Sequence, residues 1–156
     1  MTKDELTRHI TENFSGAIEI IENNQPEPYF IVKAGELRDF SRFIHDDPQL
    51  MLNFLMNLSA VDTGERFETV YNVCSYRHKH RIFFKVLLEH DSPEVDSVMK
   101  IWPAANWYER EAWELFGILI HDHPNLTRFL LPDDWDQGYP MRKDWVGLDV
   151  IPLPER

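Results

Sequence analysis

The 156-residue sequence predicts an α+β fold, with one domain over 1–156. A small mixed β-sheet of about five strands carries helices packed on one face, and an extended C-terminal arm follows. Three observations predict this. Apolar residues recur at helical spacing in four stretches. Between them, β-branched and aromatic residues alternate with others, most clearly in Phe67–Tyr76 and Ile82–Leu88. Past Gly117 both periods stop, and prolines punctuate a long aromatic and charged run. The folded core is placed at 1–118 and the arm at 119–156.

Thr2 and Glu5 fit a capping box, and Leu6, Ile10 and Phe14 form the apolar stripe of a first helix. Gly16 ends it. Two strands follow, Ala17–Glu22 and Tyr29–Lys33, turning at Asn23-Asn24-Gln25-Pro26. Leu37, Phe40, Phe43 and Ile44 predict a second helix. Asp47 caps a third, with Pro48 in its first turn and Met51, Phe54, Leu55 and Leu58 at helical spacing. Ala60-Val61-Asp62 reads as a strand before a turn at Thr63-Gly64. The Phe67–Tyr76 and Ile82–Leu88 hairpin turns through Arg77-His78-Lys79-His80-Arg81. A last helix spans Asn106–Gly117.

Composition removes several function classes. A net charge of −11 argues against a nucleic-acid surface and against direct docking on anionic lipid. One cysteine, Cys74, is too few for a disulfide framework or an iron–sulfur site, and its strand position suggests a buried, inert thiol. The polar start MTKDELTRHI carries no signal-peptide pattern, and no apolar run has the length of a membrane span. The six glycines are not grouped as a phosphate loop, and no serine sits in a nucleophile elbow.

Two groups of residues invite chemistry. His78/His80 and His121/His123 are His-x-His pairs that a strand would put on one face. Such a pair falls short of the three or four ligands zinc needs, and the first lies among cations. The Asn106–Gly117 helix is richer. At about 100° per residue, Glu109 falls inside the apolar arc, while Arg110, Glu111 and Glu114 lie mostly outside it. A carboxylate there requires a partner. It reads either as an acid/base group with a shifted pKa or as a structural ion pair with an arginine or lysine, and the ion pair is preferred. The downstream loop offers Arg128, Arg142 and Lys143, with Phe129, Trp135 and Tyr139 as adhesive aromatics.

One run carries a resemblance. Glu109-Arg110-Glu111, Glu114-Leu115-Phe116-Gly117-Ile118, His123-Pro124, Arg128, Leu130-Leu131-Pro132-Asp133-Asp134-Trp135, Pro140 and Arg142-Lys143-Asp144 follow in close order. This run resembles the C-type subunit of proton-translocating NADH:quinone oxidoreductase, respiratory complex I. The Ala60-Val61-Asp62 region and the hairpin resemble it as well. Tyr139 stands where many members have histidine, and Trp145 where they have tyrosine.

The resemblance implies a non-catalytic peripheral-arm subunit supporting electron transfer from NADH to quinone, coupled to proton translocation. NADH, FMN, iron–sulfur clusters and quinone would then belong to other subunits, with no cofactor in this chain. Its partners would be the D-type subunit, which helps form the quinone site, and the B-type subunit, which holds the neighbouring iron–sulfur cluster. It would lie on the cytoplasmic side of the bacterial inner membrane, held by other subunits without inserting. Glu109, Arg110, Glu111, His123, Arg128, Asp133, Asp134, Trp135, Arg142, Lys143 and Asp144 would be structural or partner-binding, and none catalytic, cofactor-binding or metal-binding. The chain's end at Arg156 suggests no fused D-type subunit. Two rivals stand beside this. One is the equivalent subunit of a membrane-bound hydrogenase or a ferredoxin- or deazaflavin-dependent complex. The other is a stand-alone carboxylate or metal-dependent hydrolase using Glu109, Glu111 and the His121/His123 pair.

Overall fold

The structure is a computed structural model and describes residues 1–22 and 24–147. Helix α1 (Lys3–Asn13) starts at the capping box read from the sequence. The Glu5 N–H donates to the Thr2 hydroxyl at 3.3 Å, and the Thr2 N–H donates to the Glu5 carboxylate at 2.8 Å. Strands β1 (Ile18–Ile20) and β2 (Tyr29–Val32) pair antiparallel. The turn between them includes Asn23, outside the described residues. A 3-10 turn (Ala34–Glu36) leads into α2 (Leu37–Asp46), whose inward face is Leu37, Phe40 and Ile44.

The third helix expected from Pro48 does not form. Asp47 caps a single turn, accepting from the Gln49 and Leu50 N–H groups at 2.8 and 3.1 Å. Met51 then adopts φ +43°, which breaks a helix. The chain enters a nine-residue strand, β3 (Phe54–Asp62). Its apolar spacing mimics a helix for a specific reason. The ladder to the next strand slips between Leu55 and Asn57, so Leu55 and Leu58 are both buried although three residues apart. A β-bulge thus turns a period of two into a step of three.

Strands β4 (Arg66–Ser75) and β5 (His80–Glu89) form the expected hairpin. His80 and Arg81, read as turn residues, belong to β5. The sheet order is β1-β2-β5-β4-β3, and it is mixed because β2 runs parallel to β5. Along β4 and β5, alternate residues are fully buried, and the intervening ones are half-buried on the opposite face. The helices cover the first face. Phe40 meets Phe84 edge-on at 5.2 Å, and Phe84 stacks on Tyr71 at 4.5 Å. Each such ring contributes roughly 2–3 kcal/mol on burial. Cys74 lies on the other face and is half-buried rather than buried. Desolvation pushes its thiol pKa up against the opposing charge of Arg81.

Two short strands went unforeseen. β6 (Glu94–Asp96) and β7 (Leu119–His121) pair in parallel, with α3 (Ala105–Phe116) between them in the chain. Each offers one buried apolar residue, Val95 and Ile120, too little for a periodic signal. Among the described residues, regular structure thus runs to His121. Irregular chain begins at Asp122, whose φ of +57° turns it away from the strand.

Candidate functional site

Helix α3 anchors the segment that follows it. Glu109, Arg110 and Glu114 are all buried, whereas Glu111 is exposed. The helical wheel puts Arg110 and Glu114 mostly outside the apolar arc. That reading is corrected: residues 127–131 fold back over this flank and cover them.

The grip is on the main chain. Arg110 Nε donates to the Thr127 carbonyl at 2.8 Å, and a second guanidinium nitrogen donates to the Arg128 carbonyl at 3.3 Å. Its planar group lies over the Trp107 and Phe129 rings, 4.7 and 4.8 Å from their centroids. One helical turn on, Glu114 accepts from three consecutive N–H groups: Phe129 at 3.2 Å, Leu130 at 3.1 Å and Leu131 at 2.7 Å. Convergent peptide N–H groups of this kind cradle an anion. Cation and anion, four residues apart on one helix face, therefore bind adjoining carbonyls and amides of one loop.

A second attachment lies at the end of α3. Met141 N–H donates to the Leu115 carbonyl at 3.1 Å, and Arg142 Nε donates to the Phe116 carbonyl at 2.6 Å. These carbonyls have no partner within the helix, and a cation there also meets the negative end of its dipole. The Arg142 guanidinium sits between Phe67 and Tyr139, 5.0 and 4.7 Å from their centroids. Gly117 ends the helix with φ +72°, and a Cβ there would overlap the Tyr139 ring. Nearby, buried Asp62 at the end of β3 accepts from the Gly64 and Lys143 amides at 2.7 and 2.8 Å. Burial pushes its pKa up, but these two donors and the charges of His90 and Lys143 outweigh it, holding the carboxyl below its ordinary value.

Other motif residues organise the loop or face solvent. Arg128 donates to the Trp135 carbonyl at 2.8 Å, and the Trp135 indole to the Gly138 carbonyl at 2.7 Å. Glu111, Asp133, Asp134 and Asp144 are exposed, as is the Lys143 side chain.

Glu109 is 2% exposed, as its place on the wheel demands. Its partners are not the expected arginine or lysine. The Ser97 hydroxyl donates to Oε2 at 2.6 Å and the Val98 N–H to Oε1 at 2.7 Å. His123 Nε2 lies 3.8 Å from Oε2. Desolvation pushes the Glu109 pKa up to about 7 despite those hydrogen bonds and the charge of Arg38. The His123 pKa is pushed down by burial, with the Asn106 carbonyl opposing and Arg110 adding. Arginine and lysine fail as partners because each nearby arginine is used elsewhere: Arg110 on the loop, and Arg38 on Asp122 at 2.7 Å and Asp96 at 3.4 Å.

Of the groups named for a hydrolase, only Glu109 and His123 come together. Glu109 points inward and Glu111 outward. His121 pairs with Glu94 at 3.2 Å, and the turn at Asp122 separates it from His123. His78 and His80 stack at 5.5 Å and are engaged with the Pro48 and Leu50 carbonyls. Among the described residues, no three His, Cys, Asp or Glu side chains are grouped to hold a metal. A cavity of about 580 Å³ lies elsewhere, lined by Leu6, Met56, Cys74, Tyr76, His80 and Arg81 among others.

Sequence reasoning missed Asp62 and Glu114 as anchors. Glu114 had a signal, its spacing of four from Arg110; Asp62 had none beyond its place before a turn.

Comparison with known proteins gives a consistent answer. Residues 30–149 match the model of the respiratory-chain NADH dehydrogenase 30 Kd subunit. The C-type subunit of NADH-quinone oxidoreductase from Roseiflexus castenholzii is 44% identical over 116 residues, covering 72% of this chain and 66% of that protein. Its counterpart in Chloroherpeton thalassium is 39% identical over 146 residues, covering 92% of this chain and 60% of that one. The chain thus spans slightly under two thirds of the length of these relatives. Among solved structures, a chain of the membrane-bound sulfane sulfur reductase, an archaeal respiratory membrane complex, superposes with a TM-score of 0.77. That match has 26% identity and covers 93% of this chain and 86% of that one.

Proposed function

Because the chain belongs to the 30-kDa subunit family of respiratory-chain NADH dehydrogenase, we propose that it is a non-catalytic peripheral subunit of a NADH:quinone oxidoreductase. It docks the D-type, quinone-site subunit, next to the B-type one, and supports electron transfer from NADH to quinone coupled to proton translocation. NADH, FMN, iron–sulfur clusters and quinone belong to the other subunits. No helix of the described residues is long and apolar enough to cross a membrane. In this reading the neighbouring subunits hold the chain at the cytoplasmic face.

One observation carries this reading: the arm's anchoring is internal while its apolar side chains face out. Phe129, Leu130, Tyr139, Met141 and Val146 are all exposed, between 39% and 87%. Trp107 on α3 extends the same surface at 55%. An apolar surface of this kind, laid on a rigid frame, suits burial against another protein. The basic cluster that the sequence offers to a partner is largely used internally: Arg142 is enclosed by Phe67, Phe116 and Tyr139. Reversing its charge would therefore unseat the arm, and the discriminating variants are apolar.

Co-expression with the quinone-site subunit tests the proposal. Leu130→Asp with Met141→Asp is expected to weaken the complex at least about tenfold, with thermal stability of the free chain unchanged. Wild-type affinity in this variant would remove the docking role. A second reading keeps the subunit role but changes the parent complex. The likeness to the sulfane sulfur reductase chain, from a related kind of respiratory membrane complex, is the observation behind it, and the fit is loose. The subunits that co-purify from the native source decide between them: NADH-input subunits support the first reading, a nickel–iron or sulfur-reducing large subunit the second.

A further inference from the structure

The turn that joins β4 to β5 takes no part in the arm or its anchors. Arg77-His78-Lys79-His80-Arg81 sets cations and imidazoles in a row, in a chain with a net charge of −11. The turn is firmly mounted. His78 and His80 stack at 5.5 Å, and their Nε2 atoms lie 3.0 and 2.7 Å from the Pro48 and Leu50 carbonyls. Burial pushes the His80 pKa down, so this ring serves as a neutral donor. The Ser75 hydroxyl accepts from the His78 N–H at 3.2 Å, and the Ser75 carbonyl from the Lys79 N–H at 2.8 Å. Lys79 closes the turn at φ +53°, a conformation that glycine or asparagine adopts at lower cost.

Much of the charge on this frame is not spent inside the chain. Arg81 pairs with Glu27, and Lys3 donates to the Gln25 carbonyl at 2.8 Å. Arg77 donates to the Met51 sulfur at 3.7 Å, and among the described residues no carboxylate pairs with Arg77 or Lys79. Beside these cations opens the cavity of about 580 Å³. Leu6, Met56 and Tyr76 give it an apolar wall, and Lys3, Lys79 and Arg81 bring charge against Glu27 alone. Tyr76 is 70% exposed and meets Phe54, itself 44% exposed, edge-on at 5.0 Å. A cleft of this size, apolar with a few placed charges, is the usual form of a binding site.

We propose that this corner of the sheet binds an acidic segment of a partner protein, seating one large apolar side chain in the cavity and carboxylates on Arg77 and Lys79. Charge complementarity selects this occupant. An anionic membrane is a plane that meets the whole acidic surface of the chain. A segment of a few residues feels little beyond a Debye length of about 8–10 Å, and so meets the local cations. The site lies at the start of β3, whereas Asp62, at the other end of that nine-residue strand, holds the arm. At about 3.3 Å per residue the two ends are roughly 25 Å apart. The inference therefore stands whichever subunit the arm grips.

The test is an NMR titration of the full chain with the acetylated and amidated peptide Glu-Glu-Trp-Leu-Glu-Glu. Saturable shifts are expected at the amides of 3–6 and 74–81. Exchanging the peptide's glutamates for lysine, or its tryptophan and leucine for alanine, is expected to weaken binding at least about tenfold. Arg77→Gln with Lys79→Asn removes two charges while asparagine keeps the left-handed turn. Affinity is expected to fall about tenfold, with the amide shifts of the sheet otherwise unchanged. Phosphatidylglycerol vesicles, and the protein alone at rising concentration, stand for the rival occupants. The proposal is overturned by no saturable shift with the glutamate peptide, by equal binding of the lysine or alanine peptide, or by wild-type affinity in the double variant. Shifts at this corner caused by vesicles or by self-association in place of the peptide overturn it equally.

Discussion

Single side chains decide how the arm is held. Glu114 satisfies three amides at once, and Glu114→Ala strands all three. A buried donor left unpaired costs about 1–3 kcal/mol, so a loss of about 3 kcal/mol is expected, softened by water entering the gap. Hydrogen exchange checks it: amides 129–131 lose protection while β4 and β5 keep theirs. Glu109 makes a prediction with a sign. Its folded pKa of about 7 exceeds the ordinary carboxyl value of 4.5, so the folded chain keeps a proton that the unfolded chain has released. Its contribution is therefore fully present below pH 4.5 and is lost as pH rises through about 7. Glu109→Gln removes that dependence, because the Ser97 hydroxyl can rotate to accept from the new amide. Denaturant midpoints of the two proteins between pH 5 and 8 are expected to converge at the acid end. The burial of Glu109 was legible in the sequence, since a helical wheel reports which way a residue faces. Its partners were not. Ser97, Val98 and His123 arrive from two other segments, and no local pattern records that meeting.

At the scale of elements, Gly117 joins two jobs that any other residue would separate. Its left-handed backbone ends α3, and its missing side chain seats Tyr139. Gly117→Ala is expected to cost about 1 kcal/mol for the backbone alone, and more for the displaced ring. Limited proteolysis is the readout: cleavage between residues 122 and 147 should rise while the sheet resists. The elements that sequence reading finds and loses have physical reasons too. The β4–β5 hairpin is legible because its buried residues alternate without interruption. The first part of the strand at Phe54–Asp62, up to Leu58, reads as a helix because its bulge leaves two leucines three apart. β6 and β7 are stabilised by pairing with each other around α3, which no local window contains.

For the whole molecule, stability is graded. The sheet and its helices enclose the aromatic core, whereas among the described residues the arm has anchors but no helix or strand past His121. Segments that bury little open first. In the isolated chain, amides of 132–140 are expected to exchange well before those of β4 and β5, and binding of the partner to slow them. Equal protection of both regions would show that the arm needs no partner for its order. The α+β class was readable from composition and period. The parallel pairing of β2 with β5 was not, because strand neighbours are chosen in space.

The contacts made by Arg110 and Glu114 reach carbonyls and amides of residues 127–131, and only the Phe129 ring among those side chains enters the grip. Helix α3 is in effect blind to the identity of most residues it holds. Positions 127, 130 and 131 are free to vary without loosening the loop, provided none of the three amide donors becomes proline, whereas Arg128 holds the Trp135 carbonyl. A lineage could rewrite the outward face of this loop to suit a changing neighbour while its mounting stayed the same. A library randomised at those positions, with proline excluded at 130 and 131, should return mostly folded chains that differ in what they bind.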